Sequence, residues 1–85
     1  MKFEIFTENK NLLQVVALTI QRFPNATLSQ SMGVYKGRPE EGLIITLVAP
    51  ESDRSTVHSL ARDIKELNQQ ESILVVETPV AYNLI

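Results

Sequence analysis

Apolar and polar positions change period several times along the chain, and each change marks a predicted element. Lys2 to Thr7 alternates, with Phe3 and Ile5 on one face and Lys2, Glu4 and Phe6 on the other, which predicts a strand. Leu12, Leu13, Val16, Ala17, Ile20 and Phe23 follow at spacings of one, three and four, the stripe of an amphipathic helix capped by Thr7 or Asn9. Pro24 ends it near Phe23, because the residue before a proline is pushed out of the helical region.

Alternation returns from Ala26 to Tyr35, with Leu28, Met32 and Val34 on one face and Thr27, Ser29, Ser31 and Tyr35 on the other. This predicts a half-exposed strand whose Gly33 suits an edge or a bulge. A polar turn from Lys36 to Gly42 leads into Leu43, Ile44, Ile45, Thr46, Leu47 and Val48, a run apolar on both faces as in a central strand. Pro50 closes that run, and Ser52 or Asp53 can cap a second helix. There Val57, Leu60, Ala61, Ile64 and Leu67 recur at helical spacing, while Arg54, His58, Arg62, Lys65 and Glu66 fill the solvated side. Asn68 to Glu71 leave the helix, and Ile73 to Val76 form a last two-faced apolar strand broken at Thr78-Pro79. Val80 to Ile85 suits a short fifth strand or a packed tail.

The order βαββαβ predicts an α+β fold, a ferredoxin-like split βαβ sandwich with strand order 4-1-3-2 and both helices on one face. Two strands are then apolar on a face the helices leave bare. Large bare apolar patches are rare on soluble monomers, so the expectation is a homo-oligomer, most simply a homodimer, unless the C-terminal segment covers the sheet.

Composition narrows the setting. Eighty-five residues with 44% hydrophobic and 21% charged side chains describe one folded domain over residues 1–85. A net charge of -2 favours neither a nucleic-acid binder, which carries a basic excess, nor an acidic mimic of nucleic acid, so nucleic acid is not an expected partner. The absence of cysteine removes disulfides, thiolate metal sites and a cysteine nucleophile. No signal-like or membrane-length apolar run occurs, so the expectation is a cytoplasmic protein, the whole chain being its mature form, with no membrane partner.

Candidate chemistry is sparse. His58 with Ser55, Ser59 and Arg62 lies on the solvated helical face, with neither an orienting carboxylate nor a strained turn around a serine, so nucleophilic catalysis is not supported. One histidine and scattered carboxylates give no metal-ligand spacing. Glu40 and Glu41 are adjacent and point apart in an extended turn. Lys36-Gly37-Arg38 can surround a phosphate or carboxylate, with Tyr35 beside it as a stacking surface, although hairpin tips also carry such charges for solubility alone. Without a catalytic constellation, the reading is a non-enzymatic protein with no cofactor.

Two segments carry a resemblance. Tyr35-x-Gly37-x-x-Glu40 entering one apolar strand, and Gln70-Glu71-Ser72 entering another, resemble small accessory proteins encoded by phages and mobile elements, over about Gly33 to Val76. The small polar residue usual after the glutamates is Gly42 here. The resemblance implies a protein of the host cytoplasm that binds and blocks a host protein, including components of bacterial defence. Tyr35, Lys36, Arg38, Glu40, Gln70 and Ser72 would be the binding set, although Glu40, Gln70 and Ser72 can equally be turn and helix-exit anchors. The alternative is a dimeric regulatory domain binding a nucleotide or small anion through Lys36, Arg38 and Arg62.

The second helix generates a direct test. Leu60→Ala or Ile64→Ala is predicted to cost about 2–5 kcal/mol in chemical denaturation, while His58→Ala is nearly silent. A large loss at His58 would mean that the wrong helix face had been placed in water.

Overall fold

A computed structural model describes residues 1–85. The elements are β1 (Lys2–Glu8), α1 (Leu12–Arg22), β2 (Thr27–Tyr35), β3 (Arg38–Val48), a 3-10 turn (Glu51–Asp53), α2 (Arg54–Leu67) and β4 (Leu74–Thr78). The sheet runs β2-β3-β1-β4 with every neighbouring pair antiparallel, so the predicted split βαβ sandwich and its strand order are observed.

β1 is the axis of the molecule. It hydrogen-bonds on both edges, with Ile5 opposite Ile45 on β3 and Val75 on β4. Its odd positions Phe3, Ile5 and Thr7 are buried against the helices with Leu43, Ile45 and Leu47 of β3. Val57, Leu60, Ala61 and Ile64 of α2 close over them, which is the helical stripe the spacing predicts.

α1 packs differently from its predicted stripe. Val15, Thr19 and Phe23 are buried with Leu18 partly so, whereas Leu13 and Ile20 are 81% and 65% exposed. The helix is apolar nearly all round, so periodicity cannot choose its inner face. Polar anchors choose it instead. The Arg22 guanidinium pairs with Asp63 and donates to Ser59 Oγ of α2 at 3.2 Å, while the buried Thr19 hydroxyl is satisfied within α1 by the Val15 carbonyl at 2.8 Å and so can face inward. The cap is also elsewhere: Thr7 belongs to β1, and Asn11 precedes α1 in the left-handed conformation.

The β2–β3 turn is only Lys36-Gly37, both at positive φ (50° and 76°), the backbone of a two-residue hairpin in which glycine is favoured. Arg38 to Gly42, expected as turn, continue β3. Pro39 is tolerated because β1 ends opposite Gly42, so β3 has one free edge at the proline. Eleven residues at about 3.4 Å each carry β3 far beyond the helices, in keeping with a molecule 39 × 24 × 21 Å across. For that reason Met32 and Val34 of β2 are exposed rather than inward.

The face away from the helices keeps Phe6, Ile44 and Val76 half-buried and Val48 and Leu74 exposed. Val80 to Ile85 form no strand and are exposed, so the suggested fifth strand is absent. No helix is long and apolar enough to cross a membrane.

β4 is tied to α2 by charge. Arg54 Nε donates to both Glu77 oxygens at 2.8 and 2.9 Å, and His58 Nε2 lies 3.4 Å from the same carboxylate. The Arg54 hydrogen bonds hold the Glu77 carboxyl below its usual range. A depressed folded value makes its stabilisation present above the unfolded value of about 4.3 and lost as pH falls through the folded one. Glu77→Gln is therefore predicted to lower the melting temperature at pH 7 but to converge with the parent in strong acid. A constant difference down to pH 2 would show that the clasp is not electrostatic.

Candidate functional site

The free length of the hairpin makes a groove. β1 stops at Glu8, a last backbone bond runs from the Asn9 N–H to the Glu41 carbonyl at 3.3 Å, and Arg38–Glu40 continue paired only with β2, leaving that side of the hairpin open. The segment after α2 folds back toward this opening. The Gln69 amide donates to the Glu66 carbonyl at 3.2 Å and the Gln70 amide to the Lys65 carbonyl at 3.0 Å, a Schellman closure with Gln69 left-handed at φ 54°. Hairpin, end of β1 and turn together enclose about 520 Å³, within the usual size range of small-molecule sites.

Close approach is built into one wall. A Cβ on Gly42 would stand 2.7 Å from Ser31 Oγ and 3.3 Å from the Thr7 carbonyl oxygen, so the residue that departs from the phage-type pattern is the one that lets β1, β2 and β3 meet here. Backbone strain gathers at the same end. The only non-glycine residues with positive φ are Asn11, Lys36 and Gln69; Gln69 lines the groove, Lys36 adjoins its Tyr35, and Asn11 bonds to the Asn68 side chain behind it. Left-handed backbone costs about 1–2 kcal/mol per residue and concentrates where function holds a chain in place.

The groove is acidic. Glu8, Glu40, Glu41 and Glu71 line it, and no lysine or arginine does. Lys10 pairs with Glu8 at 2.8 Å, Lys36 lies 3.6 Å from Glu71, and Glu40 and Glu41 have no ion-pair partner. The Tyr35 hydroxyl donates to Glu71 at 3.3 Å and Lys36 Nζ sits 5.3 Å from the Tyr35 ring, so the hairpin tip and the turn touch across the opening.

Tyr35, Glu40, Gln70 and Ser72, singled out from the sequence, all line this groove. Lys36 stands at its rim, engaged with Glu71. Arg38 makes no ion pair and does not line it, so the two cations of Lys36-Gly37-Arg38 do not converge on an anion site. Arg62 lies exposed on α2, also outside the lining. Sequence reasoning missed Glu8, Glu41 and Gln69. Only the β1–β3 register, which sets Glu8 opposite Gly42, brings Glu8 to the hairpin. No group of three or more His, Asp or Glu side chains is arranged to hold a metal ion.

Compared with protein-family profiles and with curated proteins, the sequence matches none. Solved structures do match. A phage SAM lyase in its apo state superposes with a TM-score of 0.70 at 23% identity, covering 87% of this chain and 75% of its own. A DUF3240 family protein of Shewanella baltica OS155 gives a TM-score of 0.75 at 12% identity, covering 99% of this chain and 92% of its own. At these identities the likeness establishes a shared fold, and one protein that shares it is phage-encoded. The expectation of a non-enzymatic protein is corrected at this point, because that phage protein is an enzyme. A two-layer scaffold with an open groove can carry chemistry that no short sequence motif announces.

The strained turn supplies a prediction. Gln69→Gly relieves the left-handed penalty and should raise stability by about 0.5–1 kcal/mol in urea denaturation. A loss of stability would indicate that the Gln69 side chain, rather than its backbone, holds the turn.

Proposed function

We propose that this protein is a lyase acting on S-adenosylmethionine, with the groove between the hairpin and the 69–72 turn as its site. The observation that carries the proposal is the lining: four glutamates, two of them without an ion-pair partner, beside an aromatic ring, in a fold shared with a phage SAM lyase over 87% of the chain. S-adenosylmethionine bears a sulfonium and an ammonium cation, and its adenine offers a flat face. Glu40 and Glu41 are unpaired and project to opposite sides of β3: Glu40, on the side of Tyr35, suits a cation directly, Glu41 adds to the negative field, and Tyr35 suits the base or the sulfonium.

A lyase adds no water. The electron pair of the cleaved carbon–sulfur bond goes to sulfur, which leaves as a neutral thioether. The electrons that replace it at carbon come from within the substrate: a neighbouring C–H bond whose proton passes to a groove carboxylate, or the substrate's own carboxylate. Positive charge at sulfur disappears as the bond breaks, so groove carboxylates stabilise the bound sulfonium more than the transition state. They supply affinity, and rate comes from geometry. Glu71 accepts from the Tyr35 hydroxyl across the opening and so orients that ring against the substrate.

An enzyme that consumes a shared metabolite reaches every host protein that needs it without touching any of them. Action against host defence, which the phage resemblance implies, then follows from depletion of S-adenosylmethionine.

The test is incubation with S-adenosylmethionine followed by chromatography for the thioether nucleoside. Turnover is expected, with Glu40→Gln and Glu41→Gln raising KM more than they lower kcat, and Glu71→Gln lowering kcat. Binding without turnover would replace the lyase by a small-ligand regulatory domain, and absence of both would end this reading.

A further inference from the structure

We infer that Asn68 is a positioning residue, which fixes Glu71 against the groove through a half-buried chain of side-chain hydrogen bonds that ends at Gln70. Asn68 is 2% exposed, directly behind the site and not part of its lining. Its Nδ2 donates to Thr7 Oγ1 at 3.2 Å and to Gln70 Oε1 at 3.3 Å, and its Oδ1 accepts from Asn11 Nδ2 at 2.9 Å. The Thr7 hydroxyl in turn donates to Gln70 Oε1.

Two backbone groups fix the direction of the chain. The Glu8 N–H, which can only donate, meets Gln70 Oε1 at 3.4 Å, and the Ser72 carbonyl, which can only accept, takes Gln70 Nε2 at 3.2 Å. With Gln70 so oriented, Asn68 must present its amino group to Gln70 and its carbonyl to Asn11. Gln70 is therefore held on both sides of the peptide that carries Glu71.

The cost of this arrangement argues for a purpose beyond stability. A buried amide adds little net stability even when fully satisfied, whereas an aliphatic side chain at a helix exit would gain by burial. Here the amide ties the exit of α2 to the end of β1 and the start of α1, 61 and 57 residues earlier in the chain. Asn11 and Gln69 hold left-handed backbone within the same assembly. Glu71 itself is exposed, and its contacts across the groove, to the Tyr35 hydroxyl at 3.3 Å and Lys36 at 3.6 Å, are weak surface bonds. Its position is consequently set from behind.

The structural part of this inference stands without any substrate; its effect on rate rests on the lyase reading. Tyr35 and Tyr82 are the only tyrosines and there is no tryptophan, so in a Tyr82→Phe background the emission reports Tyr35 alone. A carboxylate accepting the phenol proton quenches that emission, and Glu71→Gln gives the unquenched reference. Asn68→Leu is expected to raise the emission at least halfway to that reference while circular dichroism stays native. If Asn68→Leu does not fold, Thr7→Val, which removes the hydroxyl between Asn68 and Gln70, carries the same criterion. Unchanged emission in a folded variant overturns the inference. Where the parent turns over S-adenosylmethionine, the folded variant should lose about ten- to a hundredfold in kcat with KM nearly unchanged, while Ile64→Val, a purely core change, keeps its kcat. A variant that matches Ile64→Val in kcat also overturns it. A parent without turnover ends the lyase reading and leaves the emission result to decide this one.

Discussion

The groove in this molecule depends on a mismatch of strand lengths. β1 has seven residues and β3 has eleven, and their antiparallel register sets Glu8 against Gly42 with Arg38–Glu41 left over. Had the two strands been equal, the sheet would have ended flush with the helices and its end would have been a flat edge. Instead the hairpin stands clear, its tip bent by a two-residue turn, and a wall is available on one side only. The exit of α2 provides the other wall, reversing through a left-handed glutamine so that Gln70 returns to the end of β1.

The packed core and the candidate groove lie at different ends of the same sheet. At the helix-covered end, Phe3, Ile5, Ile45, Leu60 and Ile64 are fully buried, and Arg54 clasps Glu77 beside them. At the other end, in and behind the groove, the chain accepts left-handed residues, a buried amide at Asn68 and a row of glutamates. A core of aliphatic side chains bears such local costs because each is of order 1 kcal/mol, less than the burial of a single large side chain. The hairpin beyond the helices adds little to the core, so it can vary in its tip and edges without disturbing the fold.

The acidic lining leaves no compact signature in the sequence. Glu8, Glu40, Glu41 and Glu71 are scattered along the chain, and each taken alone is an ordinary surface glutamate.

The order of elements, the two-faced apolar run of β3 and the inner stripe of α2 were legible in the residues themselves, because each is a periodicity measured against the element's own axis. Tyr35, Glu40, Gln70 and Ser72 were legible as motif positions, and the fold brings them to one groove. The inner face of α1 was not, since its apolar residues encircle the helix and the choice fell to Arg22 meeting Asp63 on another helix. Where β3 begins was not legible either, as Pro39 and Gly42 look like turn residues until the free edge and the close approach of Ser31 are known. Thr7 and Gln70 are 63 residues apart, and no local pattern links them. Sequence determined which segments could be strands and helices; only tertiary structure decided where each strand outran its neighbour, because that length is set by pairing between segments and not by any one of them.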